Sequence, residues 1–69
     1  MASINQETSS VEVEEIASTA KAYLFYFINA DKKVWIPKSC VVTRHFANAD
    51  SKTHTATIFN WILKKHDIL

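Results

Sequence analysis

The residues of this 69-residue chain best suited to covalent chemistry are its single cysteine, Cys40, and the nearest histidine, His45. A neighbouring imidazole can hold a cysteine as the nucleophilic thiolate. If residues 40–46 form one strand, however, positions 40 and 45 face opposite sides of it, because successive side chains alternate. The pattern therefore favours Cys40 as a small core residue, which is the commonest role of a lone cysteine.

Metal and phosphate chemistry have little support in the sequence. The one cysteine and three histidines lack the paired C-x-x-C or H-x3–5-H spacing of zinc ligands. The chain contains no glycine, whereas phosphate-binding loops, dinucleotide fingerprints, nucleophile elbows and EF-hands each need a backbone position that suits glycine. We therefore expect no enzyme activity, no metal site and no cofactor.

Aromatic and basic side chains near the middle of the chain form the strongest candidate binding set. Aromatic platforms flanked by cations bind single-stranded nucleic acids, each stacked base adding ~1–3 kcal/mol. Aromatic residues serve more often in cores and in interfaces between proteins. Three interpretations therefore stay open for this set: core, homodimer or partner surface, and nucleic-acid surface. The candidate contact residues are four aromatic residues with a basic rim, namely Tyr23, Phe25, Phe27, Trp35, Lys33, Lys38 and Arg44.

Composition and charge set the broad class of the protein. With 48% apolar and 22% charged residues, the chain is typical of a globular domain. We expect a flexible N-terminal segment over residues 1–10 and a single small domain over residues 11–69. Residues 1–20 carry four Glu and no Lys or Arg, whereas residues 21–69 carry eight Lys or Arg and three Asp. This basic body is modest beside strongly basic nucleic-acid-binding domains.

The elements that position these residues are short strands. Val11 and Val13 alternate with glutamates, as in a half-buried strand, and residues 22–28 are apolar on both faces. Further strands are predicted over residues 33–36, 40–46 and 53–57. Residues 18–21, 27–33 and 46–52 read as turns or loops, with Asn and Asp in place of glycine. After Thr57 as N-cap, the apolar period predicts a C-terminal helix; a strand through residues 53–63 is the alternative.

Together these elements predict a mostly β, α+β fold. Four to five short antiparallel strands form a meander, and one C-terminal helix covers or plugs its open side. At this size the expected architecture is an SH3-like or OB-like barrel or a curled sheet. Connections this short exclude a parallel sheet, which needs crossovers of a dozen or more residues.

Three short motifs carry a family resemblance: T-A-K-A-Y-L at 19–24, V-W-I-P-K-S at 34–39 and N-W-I-L-K-K at 60–65. They resemble a group of small phage and prophage proteins that pair a T-x-K-A-x-L strand with a V-W-I-P-K-S strand and close on a short E-W-L helix. The resemblance spans residues 18–68 and implies a viral origin and a small β-rich domain, without a particular reaction. The chain departs from the pattern at Cys40, where glutamine is common, and at Asn60, where glutamate is.

The sequence therefore predicts a non-enzymatic, phage-derived accessory protein of the host-cell cytoplasm that binds a host or viral macromolecule. The partner is expected to be a protein, or a second copy of the chain in a homodimer. The alternative is single-stranded nucleic acid held on the aromatic and basic face. A third possibility is an inhibitor of a host defence nuclease, in which the carboxylates of residues 12–15 mimic phosphates. No membrane association is expected, since no apolar run approaches the ~18 residues of a span.

Overall fold

The computed structural model describes residues 7–47 and 51–69. Five strands pair antiparallel in one sheet, and a short helix follows at the C-terminus. This confirms the mostly β architecture with a C-terminal helix. The elements are β1 (Thr8–Ser18), β2 (Ala22–Phe27), β3 (Lys32–Pro37), a 3-10 helix (Lys38–Cys40), β4 (Val41–His45), β5 (Thr53–Phe59) and α1 (Asn60–Lys65).

The first strand begins earlier than its valine pattern predicts. The last residues of β5 pair with Thr8, Ser9 and Ser10. The side chains of these three residues are polar, so the alternation of apolar residues did not indicate that they belong to a strand. Residues 8–10 therefore belong to the sheet and not to the predicted flexible segment. Of the rest of that segment, residues 1–6 lie outside the described residues, as do residues 48–50 of the second predicted loop.

The strand order departs from a simple meander. The sheet runs β3-β2-β1-β5-β4, so every pair of consecutive strands lies side by side except β3 and β4. The chain then crosses to the opposite edge to form β4 and returns as β5 beside β1. This order places β1 at the centre, where its Val13 is fully buried.

The sheet curls, because its two edge strands are joined by only three residues. Pro37 and Val41 are four residues apart, so their Cα atoms are separated by at most ~14 Å. The edges of a flat five-stranded sheet would lie ~19 Å apart, at ~4.8 Å per strand. In agreement, the guanidinium of Arg44 on β4 lies 4.3 Å from the ring centroid of Tyr23 on β2, although two strands separate β2 from β4.

The inner face of the curled sheet forms the core. Its buried apolar strand residues come from inward positions of β1, β2, β3 and β5, and the helix adds Ile62 and Leu63. Cys40, in the 3-10 helix, is also buried there as predicted. The buried apolar residues are Val13, Phe25, Phe27, Ile36, Cys40, Ala56, Ile58, Ile62 and Leu63.

Aspartate occupies two turn positions of the kind that glycine favours; the first lies in the predicted loop 27–33, whereas the second, after the helix, was not predicted. Asp31, in the β2–β3 turn, has φ 54°, and Asp67, after the helix, has φ 59°. The amides of Asp67 and Ile68 donate to the carbonyls of Lys64 and Leu63, which is a Schellman helix end. The helix begins two residues later than predicted, at Asn60 with Phe59 as its N-cap. Residue 57, the predicted N-cap, lies within β5, which continues to residue 59 because it pairs with β1.

Candidate binding surface

The structure divides the seven predicted contact residues between two faces of the sheet. Phe25 and Phe27 lie on the inner face with 0% and 1% of their surface exposed. For these two residues the core interpretation holds, and neither can contact a partner. Trp35 lies on the outer face, because it pairs with Leu24 whereas Phe25 pairs with Val34. It is 49% exposed and does not extend the aromatic face of β2.

Lys33 shares the outer face with Trp35, opposite Tyr26. The same face carries Glu12 and Glu14, because β1 alternates around buried Val13. Glu15 turns inward instead. The carboxylates of residues 12–15 therefore do not form one patch, and the phosphate-mimic hypothesis loses the continuous acidic strip on which it depends.

Tyr23, Lys38 and Arg44 are brought together at the curled end of the sheet. The Nζ atom of Lys38 lies 4.9 Å from the Tyr23 ring centroid, on which the Arg44 guanidinium also packs. These are cation–π contacts, each of ~0.5–1 kcal/mol when exposed and more when desolvated. The three residues come from β2, the 3-10 helix and β4, so only the curl of the sheet joins them.

Arg44 is the centre of this assembly. Its Nε donates to Nε2 of His54 over 3.0 Å, and its Nη2 forms an ion pair with Glu15 Oε1. Alternation explains why these groups face inward, because Arg44 pairs with buried Ala56 and His54 pairs with Val13. We call this the Arg44 cluster; its members are Arg44, Glu15, His54 and three aromatic rings, those of Tyr23, Phe25 and Phe46.

His54 is the buried titratable group of the cluster, with 4% of its surface exposed. Its ring stacks on Phe46 at 4.2 Å, and its Nδ1 lies 3.2 Å from the Lys52 carbonyl oxygen. Because Nε2 accepts from Arg44, the proton sits on Nδ1 and is donated to that carbonyl. Burial, together with the charge of Arg44, holds the pKa of His54 below its ordinary value.

This lowered pKa predicts a loss of stability in mild acid. The unfolded chain takes up a proton at His54 as pH falls through ~6.5, whereas the folded chain resists it, so the free energy of unfolding falls below that pH. Urea unfolding followed by circular dichroism at several pH values measures the slope of the unfolding free energy against pH. We expect His54→Gln to flatten it, whereas His45→Gln, at an exposed position, leaves it unchanged. Equal slopes in both variants would contradict the assignment.

A groove borders the Arg44 cluster along the free edge of β4. β4 pairs with β5 on one side only, and its other side has no strand partner in the described part of the chain. A surface pocket of ≈ 190 Å³ opens beside this edge. We call this edge and pocket the β4 groove; its lining residues are Tyr23, Lys38, Val41, Val42, Thr43 and Arg44.

A larger pocket of ≈ 310 Å³ lies elsewhere, near the β2–β3 turn and the C-terminus. Of the predicted contact residues it includes only Phe27, which is fixed in the core. It also lies away from β4. The β4 groove is therefore the candidate site, since it combines three predicted contact residues with a strand edge that has no partner among the described residues.

Sequence reasoning missed Glu15, Phe46 and His54 as members of the site. The one signal that pointed to Glu15 was its even spacing from Val11 and Val13, which places it on the inner face of β1. His54 and Phe46 gave no such signal, because their contact depends on the register in which β4 pairs with β5.

Comparisons with protein-family models, with curated proteins and with solved structures find no match. Within residues 7–47 and 51–69, no helix has the length and apolar character needed to cross a membrane. The same residues contain no group of three or more His, Cys, Asp or Glu side chains arranged to hold a metal ion. The candidate site therefore has to be interpreted from its own geometry.

Proposed function

We propose that this chain is a non-enzymatic accessory protein that acts in the cytoplasm by binding another protein, of host or viral origin, through the β4 groove. The observation that carries the proposal is the convergence of Tyr23, Lys38 and Arg44 on a pocket beside a strand edge that no described residue pairs. Unpaired strand edges offer a row of amides and carbonyls to an incoming chain, and a neighbouring pocket adds selectivity.

The charges of the groove favour a protein partner over single-stranded nucleic acid. Arg44 is already paired with Glu15, so the cluster presents one net positive charge when Lys38 is included. Burial of Phe25 and Phe27 removes two of the four rings of the predicted stacking platform. A protein segment needs only one countercharge here, whereas a nucleic-acid strand brings one charge for every phosphate.

Single-stranded nucleic acid remains the second candidate because of one observation. Phe46 is 39% exposed at the same end of the sheet as Tyr23 and Lys38, so two rings and a cation are close to the surface. This alternative predicts binding that weakens steeply with salt.

We further propose that the curled sheet is a partly closed barrel of the SH3-like or OB-like kind, which the three-residue link between its edges supports.

Site-specific photo-crosslinking tests the proposed function. A benzophenone amino acid replaces Val42, which is 50% exposed on β4, and in a control chain it replaces Trp35 on the outer face. After irradiation in bacterial cytoplasm we expect the position-42 chain to form a protease-sensitive, nuclease-resistant adduct that the position-35 chain does not form. A nuclease-sensitive adduct would show that the partner is a nucleic acid. An adduct of twice the chain mass would identify a homodimer. Absence of any adduct at position 42 would contradict the proposal.

A further inference from the structure

We propose that the β4 groove binds an extended acidic segment of its partner as a sixth strand, with one Asp or Glu side chain of that segment entering the pocket beside Lys38. The inference rests on the proposed function, since it specifies the partner of the same groove. Strand addition of this kind draws affinity from main-chain hydrogen bonds and specificity from pockets that take alternate side chains.

The two edges of the sheet differ in how well they resist strand addition. β3 carries Lys32 and Lys33 at its start and Pro37 at its end, and lysine and proline are residues that protect edges from pairing. β4 contains neither lysine nor proline; its own protection consists of a register shift beside Val41 and the inward charge of Arg44, which Glu15 already balances. Its pairing with β5 shifts between Val41 and Thr43, so the regular part of the free edge is Thr43–His45. A short added strand is therefore expected at β4 and not at β3.

The pocket beside this edge has the charge to hold a carboxylate. Lys38 makes no salt bridge with any described residue, and its ammonium group is supported only by the Tyr23 ring. The Arg44 side chain is 20% exposed and its charge is balanced by Glu15. Among the described residues, Lys38 is thus the cation of the groove that lacks a salt bridge, and a charge-assisted hydrogen bond to it would be stronger than one between neutral groups.

Alternation in the added strand then sets the kind of sequence that fits. The acidic side chain lies on the inner side, level with Arg44, and its two neighbours lie on the outer side, level with Thr43 and His45. β-branched residues suit these outer positions, because they stabilise extended backbone and pack on a pleated surface. The expected segment is an acidic residue between two β-branched residues, without proline.

A second copy of the chain fits the groove less well than such a segment. Two β4 strands paired about a two-fold axis would leave both Lys38 pockets without an anion, since the strand Val41–His45 contains no acidic residue. The acidic strand of the chain, β1, is the central strand of its own sheet and is paired on both sides. We therefore assign the groove to a different protein.

Selection from a library of random octapeptides displayed on a surface tests this inference. We expect enriched peptides to carry Asp or Glu flanked by β-branched residues, and their affinity, measured by fluorescence anisotropy, to fall at least about tenfold with Lys38→Glu. Lys38→Gln should give a smaller loss, and Lys33→Glu on the outer face should have no effect. N-methylation of alternate peptide amides should abolish binding for one alternate set only, because one set faces β4.

The outcomes separate the inference from the proposed function. Enriched peptides without an acidic residue, binding that is insensitive to Lys38→Glu, or the absence of any enriched peptide would overturn strand addition of an acidic segment. A protein crosslink at position 42 would leave the proposed function standing in each of these cases. Circular dichroism of the Lys38 variants confirms that a loss of binding is not a loss of fold.

Discussion

Replacing Phe25 with alanine should cost about 3–5 kcal/mol of unfolding free energy, enough to leave much of the chain unfolded. Domains of this length have a total stability of about 3–10 kcal/mol, at ~0.05–0.15 kcal/mol per residue. The Phe25 side chain is fully buried and packs against Tyr23 at 5.1 Å, Phe27 at 6.2 Å and His54 at 5.5 Å between ring centroids. Its removal therefore opens a cavity between the core and the Arg44 cluster. Urea unfolding followed by circular dichroism measures the loss.

Trp35→Ala is the matched control for this prediction. Trp35 is the larger side chain, but half of its surface is exposed on the outer face of edge strand β3. We expect its removal to change the unfolding free energy by less than about 1 kcal/mol. Comparable losses in the two variants, or a larger loss for Trp35→Ala, would show that the assignment of inner and outer faces is wrong.

Replacing Arg44 with methionine should have the second largest effect, a loss of about 2–4 kcal/mol. Methionine preserves much of the packing volume but removes the donor to Nε2 of buried His54 and the countercharge of Glu15. A buried acceptor without its donor costs ~1–3 kcal/mol, and a partly buried carboxylate without its cation adds to that. The measurement is again the unfolding free energy, near neutral pH, where His54 is uncharged.

A double-mutant cycle with Glu15→Gln isolates the ion pair from the rest of the Arg44 cluster. The two residues are in contact, so we expect the double variant to be less destabilised than the sum of the singles, by about 0.5–3 kcal/mol. Lys33→Met serves as the control for loss of a surface cation and should stay within about 0.5 kcal/mol of the parent. Additive effects at positions 15 and 44 would contradict a stabilising pair.

The local pattern of apolar residues predicted most of the strands, because alternation and turn chemistry act over a few residues. It could not settle the role of β2, since residues 22–27 are apolar on both faces. The face that became the core was chosen by pairing with β1 and β3, which sets Phe25 between Glu15 and Val34. The same pairing places Trp35 on the opposite face of the sheet. This follows from the register between β2 and β3, which cannot be read from the residues of either strand alone.

The Arg44 cluster was beyond sequence reasoning for a different physical reason. Arg44 and Glu15 are 29 residues apart in the sequence. They meet because β1 and β4 lie on either side of β5 and the curl of the sheet brings their inner faces together. Lys38 reaches Tyr23 through the three-residue link between the sheet edges. The basic and aromatic composition of these positions was visible in the sequence, whereas their convergence on one groove depended on strand order.

The groove itself is tested most directly by nuclear magnetic resonance of the isotope-labelled chain with the tightest acidic octapeptide from the selection. Peptide addition should protect amides of β4 from hydrogen exchange and give cross-strand proton contacts between the peptide and Thr43–His45. The side-chain resonances of Lys38 should shift in the same titration, and those of Trp35 on the outer face should not. Contacts to Trp35 with an unchanged β4 would contradict the account.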